Sequence, residues 1–181
     1  MVSAVPKIVV ITGESGQGKT RLCQALVRLA KARVMVVKGV LSPAVFTAGE
    51  KTAILLEDAS SGEQCALAQV RQAGSDGAIQ TGHWTFDPDG VVWGSRILVE
   101  AGECDLLVVD ELGPLEFTQN KGWAEGIHVI HRRHYLLGVV VVRPSLLEKA
   151  LTLWPEAAVF TVDPGRTADE QAEEILSLKN P

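Results

Sequence analysis

One short segment near the start of the chain carries residue types suited to binding phosphate. Residues 13–20 read Gly-Glu-Ser-Gly-Gln-Gly-Lys-Thr, which fits the pattern G-x-x-x-x-G-K-[ST]. Glycines let backbone N–H groups turn inward and approach phosphate oxygens closely. A helix that begins near Lys19 aims the positive end of its dipole at the same oxygens. The segment therefore predicts a binding loop for the phosphates of a nucleotide.

This segment and the residue after it form the predicted nucleotide-binding site: Gly13, Glu14, Ser15, Gly16, Gln17, Gly18, Lys19, Thr20 and Arg21. Lys19 is expected to bind the β- and γ-phosphates and to act as a catalytic residue, because its charge offsets that of the phosphates. The hydroxyl of Thr20 is expected to be a ligand of Mg²⁺. The expected ligands are therefore a nucleoside triphosphate and Mg²⁺ as cofactor.

An acidic pair after an apolar run is the second candidate feature. Residues 106–109 read Leu-Leu-Val-Val, and Asp110 and Glu111 follow. Parallel α/β sheets bind ligands at the carboxyl ends of their strands, so the run should carry Asp110 to the nucleotide. We expect Asp110 to hold Mg²⁺ through water and to hydrogen-bond Thr20. Glu111 is the predicted catalytic residue that orients or deprotonates the attacking water.

Arginines and a further acid complete the set of candidate site residues. Phosphoryl transfer often uses an arginine that stabilises charge in the transition state. Arg143 follows an apolar run and should emerge at the sheet edge that holds the nucleotide, whereas Arg166 precedes the last predicted helix. Neither is expected to be an efficient arginine finger in the monomer, which predicts slow hydrolysis. Arg21 should be turned away by its helix, and Glu116 is the alternative catalytic acid.

Two other segments partly match motifs of different nucleotide-binding proteins. Residues 110–113 fit the DxxG of signalling GTPases, and residues 120–123 resemble their NKxD guanine reader. Trp123 stands at the position of the carboxylate that pairs with the base, so guanine specificity is not expected. Residues 60–64 resemble the signature loop of ABC transporters, but they lie between two predicted strands, which favours a turn.

Buried strands and helices must position these residues. The β-branched run over residues 7–12 predicts a strand, residues 19–32 a helix and residues 33–37 a second strand. Alternating strands and helices predict an α/β fold, a three-layer P-loop NTPase sandwich with a mostly parallel sheet and an antiparallel insert at about 40–88. Further strands are predicted over 51–57, 64–70, 83–86, 105–110, 135–142 and 158–162, and helices over 91–101, 122–133, 145–153 and 167–178.

Length and composition limit the class of protein. A chain of 181 residues with no Pro/Gly/Ser linker suits a single domain over residues 1–181. Hydrophobic residues make up 46% and charged residues 22%, which excludes wholesale disorder. The net charge of −5 argues against nucleic-acid binding by bulk charge and leaves open only a local basic patch. A nucleic-acid partner is therefore not expected, and the oligomeric state stays open.

Cysteine usage and hydropathy bear on the compartment. Cys23, Cys65 and Cys104 are far apart, are odd in number and form no CxxC motif. The first residues lack a signal-peptide pattern, and the longest apolar runs have the length of a strand. These observations predict a cytoplasmic protein without a membrane partner. His128, His131 and His134 recur beside two arginines, which favours a solvated basic face over a metal site.

The motifs together resemble those of a known family, the small nucleoside-triphosphatases of thermophilic prokaryotes, which in vertebrates include the "cancer-related" nucleoside-triphosphatase. The phosphate loop matches, but residues 110–116 are more specific: they read Asp-Glu-Leu-Gly-Pro-Leu-Glu, against a family pattern of Asp-Glu-Ile-Gly-Pro-Met-Glu. The resemblance implies a RecA-like ATPase core and Mg²⁺-dependent hydrolysis of ATP, GTP and other nucleoside triphosphates. It also implies loose base selectivity.

Three positions depart from the family pattern. Arg21 stands where the family usually has a second hydroxyl residue. Residues 51–54 read Lys-Thr-Ala-Ile in place of Arg-x-Gly-Phe, and Gly165 precedes Arg166 in place of asparagine. Hydrolysis is the leading function from the sequence. Two alternatives stay open: a nucleotide or small-molecule kinase that uses the same loop, and a partner-activated ATP-binding module.

Overall fold

The computed structural model describes residues 6–71, 79–81, 83–119 and 122–178. Within these ranges ten strands form one sheet, and helices cover both of its faces. In chain order the elements are β1 (Lys7–Thr12), α1 (Lys19–Ala32), β2 (Val37–Leu41), β3 (Ala44–Thr47), β4 (Glu50–Asp58), β5 (Gln64–Val70), β6 (Gln80–Thr81), β7 (Trp84–Phe86), α2 (Pro88–Val99), β8 (Cys104–Leu112), α3 (Pro114–Gln119), α4 (Ala124–Arg132), β9 (Tyr135–Val142), α5 (Leu147–Leu153), β10 (Ala158–Thr161) and α6 (Ala168–Ser177).

The strand order explains how distant residues meet. The parallel part of the sheet runs β10-β1-β9-β8-β2, and the antiparallel part continues as β4-β5-β7-β6, with β3 paired to β4. Because β9 lies between β1 and β8, the ends of these three strands share one edge. They deliver the phosphate loop, Arg143 and the acidic pair to that edge. The predicted α/β sandwich with an antiparallel insert is confirmed.

Alternating residues of the central strands build two cores, one on each face of the sheet. On β1, Val9 and Ile11 pack with α1 and α6, whereas Ile8 and Val10 pack on the opposite face with α4 and α5. All four side chains are 2% exposed or less. Burial on both faces is the physical reason why this strand is a continuous β-branched run rather than an alternating one.

The insert extends the sheet instead of forming a separate layer. Strand β2 pairs antiparallel with β4, and β4 pairs with β5 across the turn that starts at Asp58. The Asp58 carboxylate accepts a hydrogen bond of 2.7 Å from the N–H of Ser60, and its carbonyl accepts one of 2.8 Å from Gly62. As predicted, the segment 60–64 is a turn, and its last residue, Gln64, begins β5.

The predicted bounds were wrong most clearly for two strands. The second strand was expected over residues 33–37, but β2 spans Val37–Leu41, because residues 33–36 turn the chain after α1. Val34 is 92% exposed and adopts a φ of 58°, so its apolar side chain does not mark a strand. The helix predicted over 122–133 is confirmed as α4 (Ala124–Arg132), and the short α3 precedes it. Strand β8 does not end at Asp110 but continues to Leu112.

No helix in the described part of the chain is both long enough and apolar enough to cross a membrane.

Candidate active site

The phosphate loop connects β1 to α1 in a conformation that depends on glycine. Gly16 and Gly18 adopt φ values of 83° and 97°, in the left-handed region that other residues avoid. Gly18 is also the N-cap of α1, so the helix begins at Lys19. The first N–H groups of α1, which lack helical partners, therefore point toward the loop, where an anion can be bound.

The Lys19 side chain is held within the loop. It is only 8% exposed, and its ammonium donates hydrogen bonds of 2.7 Å to the Gly13 carbonyl and 2.9 Å to the Glu14 carbonyl. The side-chain oxygen of Gln17 accepts a bond of 2.8 Å from the Glu14 N–H. An ammonium has three donors, so Lys19 is positioned by the loop and keeps a donor for a ligand.

The acidic pair lies at an irregularity of β8. Val109 pairs with Val140 and Leu112 with Val142, so two residues of β8 stand opposite one residue of β9. Successive side chains of a regular strand point to opposite faces, but this β-bulge lets Asp110 and Glu111 line the same cavity. Bulges commonly re-aim side chains beside active sites.

Asp110 is fully buried and hydrogen-bonded. Its carboxylate accepts a bond of 3.2 Å from the Ser42 N–H and a bond from Thr20, while the Ser42 hydroxyl donates to the Asp110 carbonyl. Burial raises the pKa of Asp110 from 3.8 to about 6, and the nearby charge of Glu111 adds to the rise. The hydrogen bonds from Ser42 and Thr20 and the charge of Lys19 oppose it. A cation at this carboxylate would favour its ionised form.

Glu111 is paired with Arg143. The Arg143 Nε lies 2.5 Å from Glu111 Oε1, and the side chains are 58% and 26% exposed, respectively. Arg143 follows the last residue of β9, so the strand order places its guanidinium beside the acidic pair. The guanidinium therefore contacts the predicted catalytic carboxylate.

The carboxylate of Glu116 bridges two backbone segments. Its oxygens accept hydrogen bonds of 2.7 Å from the Gly113 N–H and 3.0 Å from the Trp123 N–H. Burial raises the pKa of Glu116, and these backbone bonds oppose the rise. A Cβ on Gly122 would lie 2.1 Å from the Glu116 carboxylate, which shows how tightly the chain closes around it. This geometry ties α3 to the start of α4.

The remaining predicted residues do not line the cavity that holds the acidic pair. Arg166 is in the loop before α6, and its guanidinium lies 2.8 Å from Glu174 on the surface. Arg21, on the first turn of α1, is exposed, as are Glu14 and Ser15 of the phosphate loop. The three histidines near α4 are also exposed, and no group of residues in the described ranges has the clustering of a metal site made of His, Cys, Asp or Glu.

Sequence reasoning did not identify Lys51, which the insert brings to the site. Lys51 lines the cavity with the acidic pair, and its ammonium lies 5.0 Å from the ring centre of Trp84. Partial burial lowers the pKa of Lys51, and the charge of Glu111 opposes this most strongly. The sequence signal that could have identified Lys51 as a site residue is its alignment with the arginine of the family's Arg-x-Gly-Phe pattern.

Comparisons with known proteins identify the family and the fold. The family model for NTPases matches residues 8–176. Nucleoside-triphosphatase THEP1 from Caldivirga maquilingensis is 25% identical over 172 residues, 95% of this chain and 96% of the relative. The THEP1 from Thermococcus kodakarensis is 29% identical over 135 residues, 72% and 73% of the two chains.

Solved structures show the same fold. The solution structure of a human cancer-related nucleoside triphosphatase has a TM-score of 0.70 at 18% identity and covers 95% of this chain and 96% of its own. The crystal structure of THEP1 from Aquifex aeolicus has a TM-score of 0.65 at 16% identity, with coverage of 96% and 99%. Because the family match spans nearly the whole chain, from β1 to α6, this protein belongs to the NTPase family of nucleoside-triphosphatases.

Proposed function

We propose that this protein hydrolyses nucleoside triphosphates to the diphosphate and phosphate in a Mg²⁺-dependent reaction. The observation that carries the proposal is the bulge in β8. Because of this bulge, Asp110 and Glu111 line one cavity together with Thr20, which lies in the first turn of α1, directly after the phosphate loop. Phosphate binding, metal binding and water activation are then available within one site.

The donor set fits Mg²⁺. The Thr20 hydroxyl and the Asp110 carboxylate supply oxygen ligands, which Mg²⁺ prefers, and the ion usually keeps several waters and binds substrate phosphates. We propose that Thr20 holds the ion directly and that Asp110 holds it through water. When bound, the ion would neutralise charge on the phosphate oxygens.

Phosphate binding and water activation depend on side chains of the protein. Lys19 binds the β- and γ-phosphates, and Glu111 orients the attacking water and accepts its proton. Arg143 is engaged with the Glu111 carboxylate rather than free to bind phosphate. We therefore propose that the isolated chain turns over slowly, because Arg143 is not arranged as an efficient finger.

The geometry supports loose base selectivity. Trp123, at the position where signalling GTPases have a base-reading carboxylate, is 5% exposed, and its indole N–H donates to the Val91 carbonyl at 3.3 Å. A buried indole engaged in this way does not pair with a base. The site side chains named above act on phosphates, metal and water, which every nucleoside triphosphate presents alike.

The direct test is release of inorganic phosphate from ATP, GTP, CTP and UTP, with Mg²⁺ and with a chelator. We expect comparable slow release from all four with Mg²⁺ and none with the chelator. The Lys19→Ala variant is the negative control for contaminating phosphatases. Release that persists without divalent metal, or that occurs with one base alone, contradicts the respective part of the proposal.

We also propose a cytoplasmic location and no dependence on nucleic acid. Three free cysteines support a reducing compartment. The net charge of −5 supports the absence of a bulk attraction to nucleic acid.

A further inference from the structure

The cavity at the acidic pair has an apolar half that hydrolysis does not use. Its volume is about 150 Å³, and its polar lining residues include Thr20, Asp110, Glu111 and Arg143. The insert and α2 contribute most of the large apolar side chains in the lining, which form its apolar wall: Ile54, Leu67, Trp84, Phe86, Val91 and Trp123. A reacting water needs no such wall, since it is held by polar groups alone.

The apolar wall is built from close contacts. A Cβ on Gly94 would lie 2.5 Å from the Trp123 ring, and one on Gly90 would lie 2.2 Å from the Ala66 carbonyl. Helix α2 thus packs directly against the Trp123 ring and against β5. The Lys51 ammonium makes a cation–π contact with the Trp84 ring. The cavity is therefore a preformed pocket of the kind that binds small molecules.

Size and charge limit what fits. A cavity of about 150 Å³ lined by apolar side chains is known to hold one benzene ring. Glu111 lines the same cavity as these apolar side chains, so a hydroxyl on a ring bound there would lie next to the predicted catalytic carboxylate. Lys51 also lines the cavity, and its positive charge suits a phosphate group attached to the product.

We propose that this cavity is an acceptor site and that the protein transfers the γ-phosphoryl group to the hydroxyl of a small single-ring alcohol. The proposal rests on the nucleotide site proposed above. The hydroxyl oxygen bonds to the γ-phosphorus as the bond to the bridging β,γ-oxygen breaks. Glu111 accepts the hydroxyl proton, and the nucleoside diphosphate leaves with the bridging oxygen. Hydrolysis is the same reaction with water as the acceptor.

Benzyl alcohol is the first probe, with ATP and Mg²⁺, and benzyl phosphate is measured by ³¹P NMR and mass spectrometry. Toluene is the matched compound without a hydroxyl, and 1-naphthalenemethanol is the alcohol too large for the cavity. We expect benzyl phosphate to form, with a matching fall in inorganic phosphate. Toluene should bind, as seen by a change in tryptophan fluorescence, but give no ester. Naphthalenemethanol should give neither signal.

Neighbouring residues of α2 provide a matched pair of variants. Val91 lines the cavity, whereas Val92 on the same helix is 68% exposed. Val91→Phe should lower benzyl phosphate formation about tenfold or more, the scale at which pocket shape discriminates small apolar groups. Val92→Phe should match the wild type. Titration with a fluorescent ATP analogue verifies that both variants still bind nucleotide.

The outcomes separate this proposal from hydrolysis. Phosphate release without any benzyl phosphate overturns the acceptor site and leaves hydrolysis standing. Ester formation that is equal in the two valine variants also overturns it, because the cavity would then play no part. If ATP binds but neither phosphate nor ester appears, both proposals fail.

Discussion

At the scale of single residues, Glu111 is the side chain on which turnover should depend most. The Glu111→Gln variant keeps the shape of the side chain and removes its charge, so it should still bind Mg²⁺-ATP. Hydrolysis should slow by about 100-fold or more, the usual scale for losing a general base. Single-turnover hydrolysis measures this, with nucleotide affinity followed in parallel. If turnover is unchanged, Glu111 is not the catalytic carboxylate, and Glu116 is the next candidate.

Lys19 should matter for binding rather than for folding. Its side chain contributes hydrogen bonds to two loop carbonyls and a point charge for phosphate, but no apolar packing comparable to the core. We expect Lys19→Ala to abolish tight triphosphate binding while the far-UV circular dichroism stays that of the wild type. Titration with a fluorescent ATP analogue is the measurement. A folded variant with wild-type affinity would refute the role of Lys19.

We expect the buried Asp110 carboxylate to lower the free energy of unfolding of the metal-free protein. Its pKa of about 6 in the fold lies above the ordinary 3.8, so the buried carboxylate destabilises the fold above pH 6. The cost vanishes as the pH falls below 3.8. Asp110→Asn should therefore raise the free energy of unfolding at pH 8 by about 1 to 3 kcal/mol, since one pKa unit corresponds to about 1.4 kcal/mol.

Denaturant unfolding in the presence of a chelator tests this prediction. The gain from Asp110→Asn should be smaller at pH 5 than at pH 8, because part of the wild-type carboxyl is already protonated there. A variant that is less stable than the wild type at pH 8 would show that the hydrogen bonds of the carboxylate outweigh its burial.

At the scale of elements, the connection from β8 to α4 depends on one side chain. The two oxygens of Glu116 each accept a backbone N–H. A glutamine side chain has one acceptor oxygen, so its NH₂ group would face one of these two backbone N–H donors. We therefore expect Glu116→Gln to lower the free energy of unfolding by about 1 to 3 kcal/mol, the cost of leaving a buried group unpaired.

Urea unfolding of Glu116→Gln should be compared with Glu103→Gln, which makes the same change at an exposed position. The control should stay within about 0.5 kcal/mol of the wild type. Equal stability of the two variants would mean that Glu116 does not hold this connection, and its raised pKa would then point back to a role in the reaction.

At the scale of the whole molecule, strand order decides which arginine reaches the site. Because β9 lies between β1 and β8, Arg143 meets Glu111, whereas Arg166 pairs with Glu174. We expect Arg143→Ala to slow single-turnover hydrolysis by about tenfold, far less than the 10³ to 10⁵ of an efficient arginine finger. Arg166→Ala should stay within about twofold of the wild type, as expected for a surface ion pair.

Wild-type turnover is the complementary measurement. We expect a value below about 10 s⁻¹, the median for ordinary enzymes. A faster isolated chain would mean that all catalytic charges are already assembled in the monomer.

The continuous sheet leads us to propose that residues 1–181 act as one domain, because the strands of the insert extend the sheet of the core.

The sequence by itself determined the features that depend on neighbouring residues. The phosphate loop is a contiguous run, and the turn it forms needs only its own glycines and the start of α1. The alternation of apolar runs also predicted the α/β fold, because burial on both faces of β1 requires apolar residues at every position. The prediction was wrong just before β2, where Val34 and Val36 are apolar but exposed, since residue type alone does not report burial.

Only the tertiary structure decided which distant residues share the site. The β8 bulge that brings Asp110 and Glu111 to one side exists only as a register between β8 and β9. The approach of Lys51 depends on how β4 pairs within the sheet, and the apolar wall needs α2 packed against Trp123. These contacts join positions far apart in the chain, so they follow from strand order and packing rather than from any local pattern.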